Sequence, residues 1–278
     1  MSKSKMSHIT AIMVKNLKIR MRQKQTYIFS FGFPIIFTLM FFFMLGTEEI
    51  VSGFKIFTLS ISGMLVYAAS IGTINSALVF SSEKHLGTLI RLETTPCTRT
   101  SIFIGSFFSE GIFMLIQLII MFILGYGILG IKWGYNINNS TFDQNIGIII
   151  LGFTIIFIFG LSTLGIGIMI SAYAKSMESA LGIANVYVIP VLFLSGAMIP
   201  FESPIVYFFP PWWANQVYQQ VVVLGHNIWT DSLLANSSNI FTAPATVLPL
   251  WSALLIIIAI FFLTIIVGIL LFNRKTSI

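Results

Sequence analysis

Glu110 is the residue whose type and position most suggest a functional site, because it is a carboxylate inside a long apolar run. Gln117 follows it seven residues later, on the same face of a helix. A carboxylate buried in lipid or protein usually marks a proton or ion pathway, and it needs a partner. Glu110 comes only about two helical turns after Ser101. We therefore expect it to lie near a membrane surface and to pair with a basic group, in a structural role.

The motifs of the common catalytic and carrier classes are absent from the sequence. It has no Gly-x4-Gly-Lys-Ser/Thr phosphate loop and no His-Glu-x-x-His zinc motif. Cys97 is the single cysteine, so the chain can form no internal disulfide. Ion-coupled carriers place paired charges near the membrane midplane, and the apolar runs contain no such pair. We expect a chain that is not an enzyme and binds no cofactor or metal of its own.

The polar segment 81–101 lies between two apolar runs and has the pattern of a short helix. Leu86, Leu89 and Ile90 share one face, charged residues surround them, and Pro96 prevents a helix from continuing through the residue before it. A helix of this length is not stable alone in water. It therefore needs a partner surface, either its own membrane domain or another protein. A plain connector between two spans is the alternative.

Composition indicates that lipid is the solvent for most of the surface. Hydrophobic residues make up 56% of the chain and charged residues only 9%. A helix needs about 20 mostly apolar residues to cross a bilayer. Six segments qualify: residues 27–46, 56–80, 102–131, 146–173, 179–200 and 248–272. The expected fold is an all-α polytopic membrane protein with six transmembrane helices in residues 27–278.

The distribution of lysine and arginine predicts the orientation. Thirteen of the 15 basic residues flank the spans on one side, and Lys55 and Lys132 are the two on the other side. The richer side is cytoplasmic, so both termini are expected in the cytoplasm. The basic residues that give the net charge of +6 therefore set the membrane topology by their placement. They form no groove, and we expect no nucleic-acid partner.

Residues 1–26 have the pattern of an amphipathic helix on the inner leaflet. One arc of the helical wheel is apolar and consists of Ile9, Ile12, Met13, Leu17 and Met21. The opposite arc is basic and consists of Lys15, Lys18 and Arg22. Such a helix buries its apolar face in the acyl boundary and turns its cations toward anionic headgroups. Arg20 lies inside the apolar arc, and we expect its long side chain to snorkel toward water. An ordinary basic flank is the alternative.

The extracellular segment 201–247 is long and contains two apolar stretches, 204–213 and 217–224. Both are too short to span, and Pro210-Pro211 is expected to separate them. Trp212, Trp213 and Tyr218 suit the headgroup zone. We expect two short helices that dip into the outer leaflet, with their backbone packed on protein. A surface loop with no gating role is the alternative.

The polar segment and the end of span five together resemble a known family. Acidic Glu83 followed by Gly87-Thr88-Leu89, Thr95-Pro96 and Arg99 is similar to the cytoplasmic loop of ABC-2-type permeases, the type V ABC exporter fold. Residues 194–200, Leu-Ser-Gly-Ala-Met-Ile-Pro, resemble the family's second recurrent element at the outer surface. This chain departs from the family at Gln219 and Gln220, where an arginine is frequent.

The resemblance implies the permease subunit of an ATP-driven exporter in the bacterial cytoplasmic membrane. A separate ABC ATPase subunit would bind ATP and Mg, and a second permease subunit, identical or related, would complete the pathway. Cargo would be hydrophobic or amphipathic, such as a drug, an antimicrobial peptide or a lipid-linked compound. The residues expected to couple to the ATPase are Glu83, His85, Leu86, Gly87, Thr88, Leu89, Arg91, Leu92, Thr95 and Pro96.

Polar and aromatic groups of spans two and five are candidates for the transport pathway: Tyr67, Asn75, Asn185, Tyr187 and Phe193. They could equally bond to neighbouring helices. The family's outer gate corresponds to Ser195, Gly196 and Pro200.

Two alternatives come from other classes of protein. An ATP-independent secondary transporter or channel would show an inverted repeat, which we do not find in this sequence. A non-transport membrane scaffold or immunity protein is compatible with the lack of reactive residues. Co-purification of a soluble ABC ATPase with the chain would separate the exporter from both alternatives.

Overall fold

The computed structural model is predominantly helical. It describes residues 2–22, 28–45, 49–51, 54–85, 99–136, 141–142, 144–194, 204–229 and 249–275. The α-helices are α1 (Ser2–Arg22), α2 (Phe33–Leu45), α3 (Ile56–His85), α4 (Arg99–Phe122), α5 (Ile146–Tyr173), α6 (Met177–Leu194), α7 (Pro210–Tyr218) and α8 (Leu250–Lys275). Two small antiparallel hairpins pair β1 (Glu49–Val51) with β2 (Phe54–Lys55), and β3 (Tyr135–Asn136) with β4 (Thr141–Phe142).

Tighter or wider helical turns extend several of the α-helices. A π-helical turn, Ile28–Gly32, leads into α2, and another, Ile123–Ile128, extends α4. A 3-10 turn, Pro204–Phe208, precedes α7, and the π-helical turn Gln219–Val223 follows it. Span three is therefore one long helix that widens over its last turn.

Four helices of the described chain are long and apolar enough to cross a membrane. They comprise Ile56–Lys84, Ser101–Ile128, Ile146–Tyr173 and Leu250–Leu271, which correspond to predicted spans two, three, four and six. The helix Ser30–Leu45 of span one is shorter, and α6 of span five has 18 residues, about 27 Å at 1.5 Å per residue. Predicted spans one and five continue into residues outside the described ranges, so the six-span count stays a prediction.

The directions of neighbouring helices follow from their side-chain contacts. Gln117 of α4 donates to the Ala68 carbonyl of α3, and Ser106 donates to Glu83, so α3 and α4 run antiparallel. Ser76 donates to the Leu164 carbonyl of α5 at 3.0 Å, while Lys84 reaches the end of the same helix. The helices α3 and α5 are therefore parallel, as two spans separated by one crossing must be.

Small residues let α3 and α5 pack at close range. A Cβ atom at Gly167 would lie 1.9 Å from Ser76 Oγ and 2.3 Å from the Thr73 carbonyl oxygen. Thr163 donates to the Ala69 carbonyl at 2.9 Å, and Thr73 donates back to the Thr163 carbonyl at 3.1 Å. Glycine at position 167 is thus required for the two backbones to exchange these hydrogen bonds.

The short helices before residue 229 begin at a different place from the one predicted. Pro210 and Pro211 occupy the first turn of α7 and do not divide two helices. Proline suits that position because the first amide groups of a helix have no intrahelical acceptor. The break lies at Phe209, between the 3-10 turn and α7, so the predicted division at Pro210-Pro211 is wrong.

Candidate functional site

The predicted ATPase-coupling segment begins within α3. Glu83 and His85 belong to the last turn of that helix, which ends at His85. The other residues of the predicted set, Leu86, Gly87, Thr88, Leu89, Arg91, Leu92, Thr95 and Pro96, lie outside the described ranges. The helix α4 then begins at Arg99, after the predicted stop at Pro96. The last turn of α3 is therefore the described base of the coupling segment.

Glu83 is buried at this base and faces α1 and α4. Its carboxylate accepts a hydrogen bond from Asn16 Nδ2 at 3.1 Å and one from Ser106 Oγ at 3.2 Å. Lys15 Nζ lies 3.5 Å from the same carboxylate. Because a buried carboxylate needs such donors, Glu83 fixes the end of α3 against two other helices.

Lys84 and Ser81, on the same turn, face the opposite direction. Lys84 Nζ donates to the carbonyls of Ala172 and Ala174, at 3.5 and 3.3 Å, which lie at the C-terminal end of α5. A cation is favourable there because the last carbonyls of a helix have no intrahelical donors. Ser81 Oγ donates to the Ser176 carbonyl in the turn between α5 and α6. One turn of α3 thus contacts α1, α4, α5 and the approach to α6.

Arg20 and Glu110 form a buried ion pair beside this junction. Their exposed fractions are 4% and 1%. Arg20 Nε donates to Glu110 Oε1 at 2.9 Å, its terminal nitrogen contacts the other carboxylate oxygen, and its guanidinium lies 4.7 Å from the Phe113 ring centre. The basic partner predicted for Glu110 is confirmed. The expectation that Arg20 snorkels is wrong, because its charge is neutralised inside the protein.

The face of α1 that packs on protein differs from the apolar arc of the helical wheel, whose predicted place at the inner leaflet stays a prediction. Ile12, Asn16 and Arg20, spaced one turn apart, pack on α4, while Met21 is 68% exposed. Ile12 lies in a small core cluster with Phe80, Ile102, Phe103 and Ile168. We name the junction of α1 with the end of α3 and the start of α4 the α1 end of the bundle.

Two of the five candidate pathway residues pack against span one. Asn75 is buried and accepts a hydrogen bond from Ser30 Oγ at 3.0 Å. The ring of Tyr67 meets Phe37 edge-on at 5.5 Å between centroids. Both residues therefore contribute to the packing of α3 against α2 and the π-helical turn that precedes it. Their role in a pathway stays a prediction.

The other three candidate pathway residues lie on α6. Tyr187 packs against the main core, Asn185 is half-buried, and Phe193 is 45% exposed. The outer-gate residues Ser195, Gly196 and Pro200 lie outside the described ranges.

The opposite end of the bundle, near the start of α3, contains a polar contact that the sequence did not predict. The hydroxyl oxygens of Tyr126 and Tyr218 lie 2.6 Å apart, joining the turn after α4 to α7. Gln219 Nε2 donates to the Leu59 carbonyl near the start of α3. Trp212, Trp213 and Tyr207 pack beside them with ring centroids 4.8 to 6.0 Å apart. We name this region the α7 end. Two tyrosines 92 positions apart carry no sequence signal of their pairing.

The comparison with known families identifies the chain. The family described as "ABC-2 type transporter" matches residues 7–222, which include both ends of the bundle and the segment between α3 and α4. The chain belongs to the ABC-2 type transporter family. The resemblance read from Glu83 to Arg99 is thereby confirmed, and the four membrane-length helices are those of a multi-pass membrane protein.

Two curated relatives come from Escherichia coli, strains K12 and O157:H7. Each is named "Probable multidrug ABC transporter permease YbhR" and is 27% identical to this chain over 158 residues. The matched region is 56% of this chain and 40% of the relative, so it covers less than half of that protein.

Proposed function

We propose that this chain is the membrane-spanning permease subunit of an ATP-driven ABC exporter. The family membership and the multidrug permeases from E. coli support the assignment. One observation at the α1 end carries it: the turn of α3 that leads into the coupling segment is bonded to three other helices. A push on residues 86–98 would therefore reach α1, α4 and α5 together.

The proposed topology has six spans, with the α1 end in the cytoplasm. Thirteen of 15 basic residues fall on that side. The helix α2 with its π-helical turn and the helix α6 complete the count as spans one and five. In this arrangement residues 204–229 pack at the outer surface. The predicted place of Trp212 and Trp213 in the headgroup zone is wrong, because both side chains are buried in the protein core. The membrane is the bacterial cytoplasmic membrane.

The proposed partners are a separate ABC ATPase subunit, which binds ATP and Mg, and a second permease subunit. The coupling segment seats on the ATPase. Closure of the ATPase pair on ATP moves that segment, and the bundle changes between two global states, each favoured by a different ligand. The helix α1 borders the inner leaflet, where exposed Lys18 and Arg22 face anionic headgroups.

The proposed cargo is hydrophobic or amphipathic, because the candidate pathway residues Tyr67, Asn75, Asn185, Tyr187 and Phe193 are aromatic groups and amides, and none of them is charged. A highly charged polymer would require more polar walls than these.

The test is reconstitution of the chain with its ATPase subunit in liposomes, with ethidium as an amphipathic probe. We expect ATP-dependent movement of ethidium, and its loss in the Leu89→Asp variant while the ATPase subunit still hydrolyses ATP. The control variant is Lys175→Asp, which introduces the same side chain at an exposed site outside the coupling segment. A residue such as Leu161 could not serve as the control, because it packs in the core. Movement of ethidium without any ATPase subunit contradicts the proposal.

A further inference from the structure

The helix α1 and the start of α4 contact each other at three successive levels. Ile12 meets Gly105, Asn16 meets Ser106, and Arg20 meets Glu110. At the first level a Cβ atom at Gly105 would lie 2.9 Å from Ile12 Cβ, so only glycine permits this approach. At the second level Asn16 Nδ2 donates to Ser106 Oγ at 2.9 Å. The two helices therefore run in the same direction, in a register that sets about two turns of α1 against about one and a half turns of α4.

The third level fixes that register most firmly. The guanidinium of Arg20 presents two nitrogens to two oxygens of Glu110, a geometry with one favourable alignment. Both side chains are at least 95% buried. Sliding α1 along α4 would leave two opposite charges buried without a partner, which is strongly unfavourable.

The same helix is also joined to α3, through Glu83. Asn16 donates to Ser106 and to Glu83, and Lys15 lies within ion-pair distance of that carboxylate. Consequently α1 is bonded to both helices that flank residues 86–98. None of these contacts is needed merely to place a helix at the inner leaflet, which exposed cations and apolar side chains would achieve.

We propose that α1 clamps the end of α3 to the start of α4, so that these three helices move as one rigid body during transport. Arg20, Glu110 and Asn16 are then positioning residues for coupling to the ATPase. This inference rests on the proposed function, since it assigns a mechanical role to α1 in the same complex. A helix that only marks the membrane surface would instead be free to move relative to α4.

A disulfide between α1 and α4 tests the clamp directly. The variant is Ile12→Cys/Gly105→Cys in a Cys97→Ser background, reconstituted with the ATPase subunit and ethidium. A disulfide needs a Cβ separation of about 3.5–4.5 Å, so the helices must part only slightly from their present contact. We expect the disulfide to form on oxidation and the ethidium moved per ATP hydrolysed to stay within about twofold of the reduced protein.

The disulfide experiment has clear contrary outcomes. Transport that stops on oxidation and returns on reduction would show that α1 moves relative to α4 and would overturn the clamp. Failure to form the disulfide would overturn it as well if the reduced double variant transports ethidium as the wild type does, because the helices would then work without this contact. Ile12→Cys alone, oxidised in parallel, is the control. The proposed function itself fails differently: ATP then drives no ethidium transport by the wild-type chain.

Charge reversal supplies a second test that does not depend on the disulfide. Arg20→Glu and Glu110→Arg should each lower the ethidium moved per ATP by about fivefold or more, relative to protein abundance in the membrane. The double variant Arg20→Glu/Glu110→Arg restores the pair and should recover most of that loss. Lys175→Glu, a charge reversal at an exposed site outside α1, should leave the ratio unchanged. A fall in abundance with an unchanged ratio in the single variants would assign the pair to folding alone and overturn the proposal.

Discussion

The two ends of the helical bundle are held together by different chemistry. At the α1 end the contacts are charged: Arg20 with Glu110, and Glu83 with Lys15 and Asn16. At the α7 end they are neutral: the hydroxyls of Tyr126 and Tyr218, and edge-on packing of Trp212 against Trp213. Charged groups hold one alignment when paired and oppose every alignment that separates them. Aromatic faces tolerate small shifts in packing.

This difference suits the role proposed for the α1 end. In the proposed exporter, that end would receive force from another subunit and pass it to several helices without slipping. The comparison can be tested by removing one group at a time at each end and measuring how the free energy of unfolding responds.

The largest effect is expected from Arg20→Leu. It leaves Glu110 buried without its counter-charge, which should lower the free energy of unfolding by about 3–5 kcal/mol. The measurement is thermal or denaturant unfolding of the detergent-solubilised chain. Arg22→Leu is the matched control on the exposed side of α1, with an expected change within about 0.5 kcal/mol. Equal losses for the two variants would contradict the buried pair.

A smaller effect is expected at the α7 end from Tyr126→Phe. The hydroxyl of Tyr218, a residue with 0% exposure, then loses its partner, at a cost of about 1–3 kcal/mol. Because both groups are neutral, the loss should not depend on ionic strength. Tyr126→Phe/Tyr218→Phe removes both hydroxyls and should be more stable than the single variant. If the two changes were simply additive, the hydroxyls would not interact.

The smallest effect is expected from Lys15→Ala at the rim of the α1 end. The Lys15 side chain is 36% exposed, so its ion pair with Glu83 is screened by water, and its loss should cost less than about 1 kcal/mol. The cost should shrink further in 1 M salt, where the Debye length is about 3 Å. A salt-independent loss as large as that of Arg20→Leu would remove the distinction between the rim and the buried pair.

The sequence predicted the helical membrane class, the four membrane-length helices and the family, because these depend on composition, run length and local motifs. It also predicted a basic partner for Glu110, since a carboxylate at that depth cannot stay unpaired. It failed for Arg20, which lies inside the apolar arc of the helical wheel and was expected to snorkel toward water. The wheel treats the surroundings of a helix as lipid or water, whereas the neighbour of Arg20 is α4.

The identity of contacts across the bundle is likewise beyond what the sequence could show. The pairing of Asn16 with Glu83 spans 67 positions, and that of Tyr126 with Tyr218 spans 92. No periodicity within one segment records such a separation. The break at Phe209 was misplaced for a simpler reason: a proline pair can begin a helix as well as end one.

Apolar run length and the placement of lysine and arginine are properties of single segments, so the sequence by itself determined which parts of this chain are helical and apolar. Which polar groups meet between the segments depends on helix rotation and register. Only the tertiary structure decided these, because at each level of a helix several faces can be buried and only one of them brings Arg20 to Glu110.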